Sequence, residues 1–186
     1  MPPKVKVTKD DIINAAVEIV RRNGHQALNA RTVAAALNCS TQPVFSHFTS
    51  MEQLRLTVVA KADQLCDEYI QREIASGQYL AYKASGMAYI RFAKEEPELF
   101  KLLYMRDRTN EPALPESALT GQMESLISQN TGLNEQDVQL FHLEMWAYVH
   151  GIATMFATGF LDLDWELVSK MLTDAYQGLT KQYGKE

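Results

Sequence analysis

The sequence predicts an all-α protein of about nine helices. Apolar residues recur at the 3.6-residue period over long segments, β-branched alternation is nearly absent, and Gly and Pro fall between the periodic segments. With 186 residues and 46% hydrophobic side chains, the chain can bury a sizeable core. These observations favour a small N-terminal domain of residues 1–50 and a larger domain of residues 51–186, connected by a helix over residues 51–75.

Two short helices follow a longer one in the first fifty residues. Thr8 and Gly24 carry the start and stop signals of the first helix. Asn29 is a good N-cap for a second helix over about 30–37, and a third helix covers about 41–47 after a tight turn. Their apolar positions fit a three-helix core, which we expect to contain Ile12, Ala16, Ile19, Val33, Ala34, Leu37, Val44 and Phe48.

The remaining chain is also helical by pattern. Capping residues, Gly and Pro divide it into periodic segments of helical length. We expect six further helices, over about 51–75, 78–94, 97–105, 115–129, 134–160 and 164–182. The polar segment 106–114 is the best loop candidate.

Composition excludes several classes of protein. No stretch reaches 18 apolar residues without a charge, and the cations of MPPKVKVTKDD are not followed by an apolar run, so neither a membrane span nor a secretory signal is expected. Cys39 and Cys66 have no C-x-x-C spacing. We therefore expect reduced thiols, no metal, no cofactor and a cytoplasmic location.

Charge is distributed unevenly along the chain. Residues 1–60 carry seven Lys and Arg against four Asp and Glu, although the whole chain has a net charge of −5. A basic N-terminal third on an acidic body is typical of a DNA-binding module attached to a domain with another partner.

The segment 29–48 has the arrangement of a helix-turn-helix, whose second helix enters the major groove of DNA. On that helix Gln42 could pair with adenine, and Thr41 or Phe45 could touch a thymine methyl. Nearby cations could hold phosphates. The expected DNA-binding residues are Lys6, Lys9, Arg31, Ser40, Thr41, Gln42, Phe45, Ser46 and His47.

The run IINAAVEIVRRNGHQALNARTVAAALNCSTQPVFSHFTSMEQL closely resembles the N-terminal signature of TetR-type regulators. The shared features are a paired-Ala helix closed by Gly24, the Arg31-Thr32-Val33-Ala34 motif, and a His47-Phe48 pair before a capped helix. The resemblance implies a homodimeric transcriptional regulator bound to double-stranded DNA. It further implies a repressor that a small, largely apolar effector releases from a pseudo-palindromic operator.

Three positions depart from that family pattern. The family usually has Tyr where Phe45 stands and Lys where Met51 stands, and both usual residues commonly reach DNA phosphates. Their replacement predicts weaker and less salt-sensitive DNA binding than in typical relatives. Asn38 replaces the usual turn Gly, and Asn tolerates the left-handed conformation that such a turn needs.

The segments FAKEEPELFKLLYM and EMWAYVHGIATM resemble the C-terminal domain of a TetR subgroup marked by a Trp and then a His-Gly pair. In this family the C-terminal domain binds the effector. His150 fits either an effector ligand or a buried histidine that fixes helix packing, and each of the other candidates fits either a pocket wall or ordinary core. The pocket candidates are Phe100, Tyr104, Met105, Met145, Trp146, His150 and Met155.

The family forms its dimer through the last two long helices, and small residues on both are consistent with close helix pairing. Packing within one chain would use the same pattern, so both interpretations stay open. The interface candidates are Ala147, Gly151, Thr154, Thr158, Ala175 and Leu179.

No catalytic motif is present: G-x-S-x-G, the P-loop, G-x-G-x-x-G and H-E-x-x-H are all missing. We therefore do not expect an enzyme. The open alternatives are a helical ligand-binding protein with weakened or lost DNA binding, an activator or ligand-independent DNA binder, and an all-helical enzyme.

Overall fold

The computed structural model describes residues 7–109 and 118–184, in which nine α-helices and one 3-10 turn form and no strand occurs. The all-α prediction is confirmed. The sequence pattern did not predict the 3-10 turn at His25–Ala27, which has no side-chain cap. The helices are α1 Lys9–Asn23, α2 Ala30–Ala36, α3 Gln42–His47, α4 Met51–Ser76, α5 Ala81–Glu95, α6 Pro97–Tyr104, α7 Ala118–Thr131, α8 Glu135–Ala157 and α9 Trp165–Tyr183.

The chain folds into two compact units. The first contains the described residues up to Cys66 together with Glu96–Arg106, and therefore holds α1, α2, α3 and α6. The second contains Asp67–Glu95 and the described residues from Asp107 onward, and holds α5, α7, α8 and α9. The division falls inside α4.

The first unit is built on a small core that the sequence pattern largely predicts. Ile19 and Leu37 are only partly buried, although we expected both in the core. Val17 and Val20 are buried instead. The buried side chains of α1, α2 and α3, with that of Phe48, are Ile12, Ala16, Val17, Val20, Val33, Ala34, Val44 and Phe48.

Packing of α6 against α1 explains why Val17 is buried. Arg21 donates from Nε to Glu96 Oε2 at 2.6 Å, and a Cβ added at Gly24 would lie only 2.9 Å from Glu98 Oε2. Val17, Arg21 and Gly24 are spaced i, i+4, i+7, so they share one face of α1. Helix α6 covers that face, and the three-helix core therefore turns away from Ile19.

In the second unit α8 is the central helix, and it packs most extensively against α5. One cluster joins α7 and α8 through Ile127, Val138, Phe141 and Met145, all nearly inaccessible to solvent. Further along α8, Ile152, Ala153 and Phe156 continue the buried face. Burying each large apolar side chain contributes roughly 1.5–3 kcal/mol, so this face of α8 holds the unit together.

A glycine allows α5 to approach α8 and α9 closely. A Cβ added at Gly86 would meet Leu172 Cδ2 at 3.0 Å and Val149 Cγ2 at 3.4 Å. Val149 and Leu172 are both buried, on α8 and α9 respectively. There is consequently no room for a side chain at this crossing.

We predict that Gly86→Leu destabilises the protein by about 2 kcal/mol or more, because overpacking outweighs the gain in helix propensity of about 1 kcal/mol. Gly121→Leu is the matched control, since Gly121 lies in α7 with no atom within 4 Å of an added Cβ. Urea unfolding at one fixed protein concentration measures both. Equal stability of the two variants would show that the α5 crossing is not tight.

Candidate functional site

Local hydrogen bonds hold the start of α2, the first helix of the helix-turn-helix. Asn29 Oδ1 accepts from the backbone N–H groups of Arg31 and Thr32, at 3.0 and 3.1 Å, and so caps α2. Thr32 Oγ1 in turn accepts from the Asn29 N–H at 3.1 Å. In the turn before α3, Asn38 has a φ of 50°, the left-handed conformation expected there. These bonds satisfy N–H groups that a helix start otherwise leaves unpaired.

Helix α3 buries one side and presents the other to solvent. Val44 is fully buried and Phe48 nearly so, whereas the Phe45 ring is 53% exposed. Gln42 and Ser46 are also exposed, and the Ser46 hydroxyl donates to the Pro43 carbonyl at 2.8 Å. An exposed aromatic ring beside an exposed amide, on a helix this short, is a surface suited to contact with a partner.

The expected phosphate-binding groups differ in how they are held. Lys9 is exposed, with Nζ 5.5 Å from the centroid of the Phe48 ring. Arg31 is exposed and forms no ion pair with any described residue. His47 Nε2 lies 3.2 Å from the Val7 carbonyl oxygen, which ties the start of the described chain to α3. Ser40 is exposed and Thr41 half-buried, while Lys6 lies outside the described residues.

The pocket candidates of the first unit lie in and just after α6. Phe100 is fully buried, and its ring centroid is 5.0 Å from that of Tyr104. The Tyr104 hydroxyl lies 3.9 Å from Cys66 Sγ. Met105 is exposed at the end of the helix.

The pocket candidates of α8 occupy different faces of that helix. Trp146 and His150 stack, with centroids 4.9 Å apart and planes at 19°. His150 Nδ1 lies 2.9 Å from the Tyr89 hydroxyl oxygen. Met145 is buried in the core cluster and Met155 is exposed, so these two methionines do not join the Trp146–His150 pair.

An open groove of about 350 Å³ lies between α7 and α8. Of its lining residues, only Trp146 was a candidate from the sequence. His142 Nδ1 lies 3.1 Å from the Tyr82 hydroxyl oxygen, and burial lowers the pKa of the imidazole below its ordinary value of 6.5. The groove is lined by Thr120, Glu124, Gln139, His142, Leu143 and Trp146.

The distribution of Lys and Arg along the sequence is a signal that could have indicated this groove. Residues 109–169 contain no Lys or Arg, yet they include nine Asp and Glu. Both helices that form the groove fall inside this stretch. Helices α7 and α8 therefore carry carboxylates and no Lys or Arg.

The interface candidates fall into two groups. On α8, Ala147 is exposed and Gly151 half-buried, with no atom within 4 Å of a Cβ added at the glycine. Thr154 is half-buried and Thr158 exposed. On α9, Ala175 and Leu179 pack against the core cluster of their own unit. The α8 stripe therefore lies on an outer surface, whereas the α9 pair contributes to intrachain packing.

Among residues 7–109 and 118–184, no helix has the length and apolar character needed to cross a bilayer. No group of three or more His, Cys, Asp or Glu within the same ranges is arranged to hold a metal ion.

Comparison with known proteins identifies the family. A family model described as the C-terminal domain of tetracyclin repressor-like proteins matches residues 82–175, which is half of the chain. The chain belongs to this family, the TetR family. The TetR-type resemblance noted in the sequence is thereby confirmed at the level of the family, whereas the subgroup marked by Trp and then His-Gly stays a prediction.

Individual relatives agree with this assignment. An uncharacterized HTH-type transcriptional regulator from Bacillus subtilis (strain 168) is 24% identical over 118 residues, and the match spans 60% of each chain. A protein described as a TetR-family transcriptional regulator from Vibrio parahaemolyticus has a similar structure, with a TM-score of 0.65, 17% identity and coverage of 95% of this chain and 98% of its own. A protein of unknown function from Rhodococcus sp. RHA1 aligns over 100% of both chains, with a TM-score of 0.74 and 20% identity. At these identities the two structures show the fold alone.

We predict that His142 makes the folded protein less stable in mild acid. Because burial lowers its pKa in the folded state, the unfolded chain binds the extra proton first. Stability present above pH 6.5 is therefore lost as the pH falls towards the folded-state pKa. His142→Gln should reduce the loss of urea stability between about pH 7 and about pH 5. Parallel pH profiles for the two proteins would contradict this.

Proposed function

We propose that this protein is a DNA-binding transcriptional regulator that represses its target and is released by a small, largely apolar effector. The observation that carries the proposal is the exposed face of α3. This face belongs to a helix-turn-helix in which Asn29 caps α2 and Asn38 adopts the left-handed conformation in the turn. Because its target is DNA, we place the protein in the cytoplasm.

In this proposal α3 lies in the major groove, with its first turn nearest the bases. Gln42 is exposed there, and its amide can pair with the N6 and N7 edge of adenine. The exposed ring of Phe45 suits the methyl group of thymine. Lys9 and Arg31 supply phosphate contacts, which add affinity without sequence information.

Dimerisation through α8 would place two copies of α3 on one DNA duplex. A two-fold dimer reads two half-sites about one helical turn, ~34 Å, apart, so we expect a pseudo-palindromic operator. The exposed stripe of Ala147, Gly151, Thr154 and Thr158 supports close pairing of α8 with its counterpart, since small side chains allow two helices to approach closely.

The dimer would have two conformations that differ in the distance between its two α3 helices, and the effector would bind one conformation more tightly than the other. Only its differential affinity for the two states can change DNA binding, typically by 1–3 kcal/mol, or about 5–150-fold. The stacked pair Trp146 and His150, on the partly exposed side of α8, supports a binding site with an aromatic wall in the second unit.

A second candidate function is a helical ligand-binding protein that has weakened or lost DNA binding. Phe45 and Met51 favour it, because they lack the hydroxyl and the cation that the family pattern usually places there. The two functions differ in one measurable property, which is the affinity for DNA.

Gel-shift assays with the DNA upstream of the protein's own gene, and selection of bound DNA from a random pool, decide between them. The regulator proposal expects a retarded complex and an enriched palindrome at low salt. No shift at low salt by a protein shown to be dimeric would overturn it in favour of the ligand-binding alternative.

We predict that Met51→Lys strengthens DNA binding. A lysine at the start of α4 adds one phosphate contact, so the slope of log affinity against log salt becomes steeper by about 0.9. Gln177→Lys, at an exposed position on α9, is the control with the same net charge. If both lysines change the slope equally, the effect is one of net charge and position 51 does not face DNA.

We predict that Gly151→Leu weakens the dimer about tenfold or more, because a large side chain separates two helices that meet at this stripe. The folded protomer should accept it, as no atom lies within 4 Å of an added Cβ. Gly121→Leu on α7 is the matched control. Sedimentation equilibrium gives the dissociation constants, and an unchanged constant for Gly151→Leu would remove α8 from the interface.

A further inference from the structure

The groove between α7 and α8 contains a carboxylate with no counter-charge. Glu124 is half-buried, and it forms no ion pair or hydrogen bond with any residue in 7–109 or 118–184. By contrast, two other half-buried carboxylates of this region have partners: Glu144 accepts a hydrogen bond from the Tyr183 hydroxyl at 3.0 Å, and Asp137 accepts one from the Asn134 side-chain amide at 2.6 Å. A half-buried carboxylate loses part of its hydration, and a nearby cation is the usual compensation.

The protein has no cation in this sequence region to supply that compensation. The nearest Lys and Arg along the chain are Arg108 and Lys170, and nine carboxylates lie between them. The negative charge of Glu124 is felt inside the unit as well. After burial and the contribution of Tyr176, it is a further cause that raises the pKa of the Tyr82 hydroxyl. Among the described residues that line the groove, Glu124 is the one carboxylate, and no Lys or Arg lies among them.

Apart from Glu124, the groove is lined by two aromatic rings and by side chains without a charge. Trp146 is 42% exposed and stacks one face of its indole on His150. His142 is held at Nδ1 by Tyr82, while its Nε2 makes no hydrogen bond within the described residues. Because burial lowers the pKa of His142, this ring is neutral near pH 7 and does not repel a cation.

We propose that this groove binds a small organic cation with an apolar or aromatic body. Glu124 pairs with its charge, the Trp146 indole contacts the cation or its body, and Leu143 covers the apolar part. The proposal rests on the proposed function in that it names the chemical class of the effector. The proposed site lies on one side of α8 only. Successive residues of a helix are rotated by 100°, so Trp146 and His142 point well away from the small-residue stripe that contains Ala147 and Gly151.

Other ligand classes fit the groove less well. An anion would lie against Glu124, and none of the described lining residues is a Lys or Arg that could bind it. A bare metal ion needs more ligands than Glu124 and His142 provide, and no third His, Cys, Asp or Glu completes a set among the described residues. A volume of about 350 Å³ suits a compact organic molecule rather than a peptide.

The test uses two probes of matching shape and opposite charge, tetraphenylphosphonium and tetraphenylborate. Each is titrated by calorimetry into the full-length protein without DNA. We expect saturable binding of the phosphonium and little binding of the borate. Equal affinity for the two ions would overturn the proposal, because the groove would then be selecting hydrophobic surface and not charge.

Variants locate the binding. Glu124→Gln should weaken phosphonium binding about tenfold, as expected for loss of a partly buried charge pair. Trp146→Leu should weaken it several-fold. Glu166→Gln, at an exposed carboxylate on α9, removes the same net charge and should change the affinity by less than about twofold. Equal losses in Glu124→Gln and Glu166→Gln would overturn the proposal.

Folding and function are checked separately. Glu124→Gln removes an unpaired charge, so its thermal unfolding should match or exceed that of the parent, and Trp146→Leu gives a second, independent test of the groove. Because the titrations contain no DNA, they report on the groove alone. The gel shift tests DNA binding, and the calorimetric titrations test cation binding in the groove. A negative result in one assay therefore cannot be mistaken for a negative result in the other.

Discussion

The packing of the apolar face of α8 is the constraint on which the second unit depends. Successive residues of an α-helix are rotated by 100° about its axis. The direction of one buried face therefore determines the direction of every other side chain on the helix. Once Phe141 and Met145 point into the core, Trp146 must face the α7 groove and Ala147 must face outward. The core, the candidate ligand groove and the candidate dimer surface are therefore three consequences of a single helix orientation.

The first unit depends instead on short-range bonds, because its helices are too short to be stable alone. The Asn29 cap determines where α2 begins, and the left-handed Asn38 lies in the turn that leads from α2 to α3. Helix α6 adds a long-range contact through Arg21 and Glu96, which are 75 residues apart in the chain. Helix α6 therefore makes the core around the helix-turn-helix larger than a three-helix unit.

Local features were therefore predictable from the sequence, and contacts between distant elements were not. Caps such as Thr8, Asn29 and Asp164 act over three residues and were recognisable as short patterns. The ion pair of Arg21 with Glu96 joins residues 75 positions apart, and no local pattern in α1 indicates it. The groove was missed for a similar reason: Glu124 and His142 come together only when α7 packs on α8.

The cation-free stretch has a consequence for how the protein can be dissected chemically. Trypsin requires a Lys or Arg side chain for its acidic specificity pocket, so it has no cleavage site between Arg108 and Lys170. Amine-reactive cross-linkers likewise find no lysine in this stretch. Helices α7 and α8 therefore stay covalently joined in any tryptic digest, and the two walls of the groove are recovered together as one peptide.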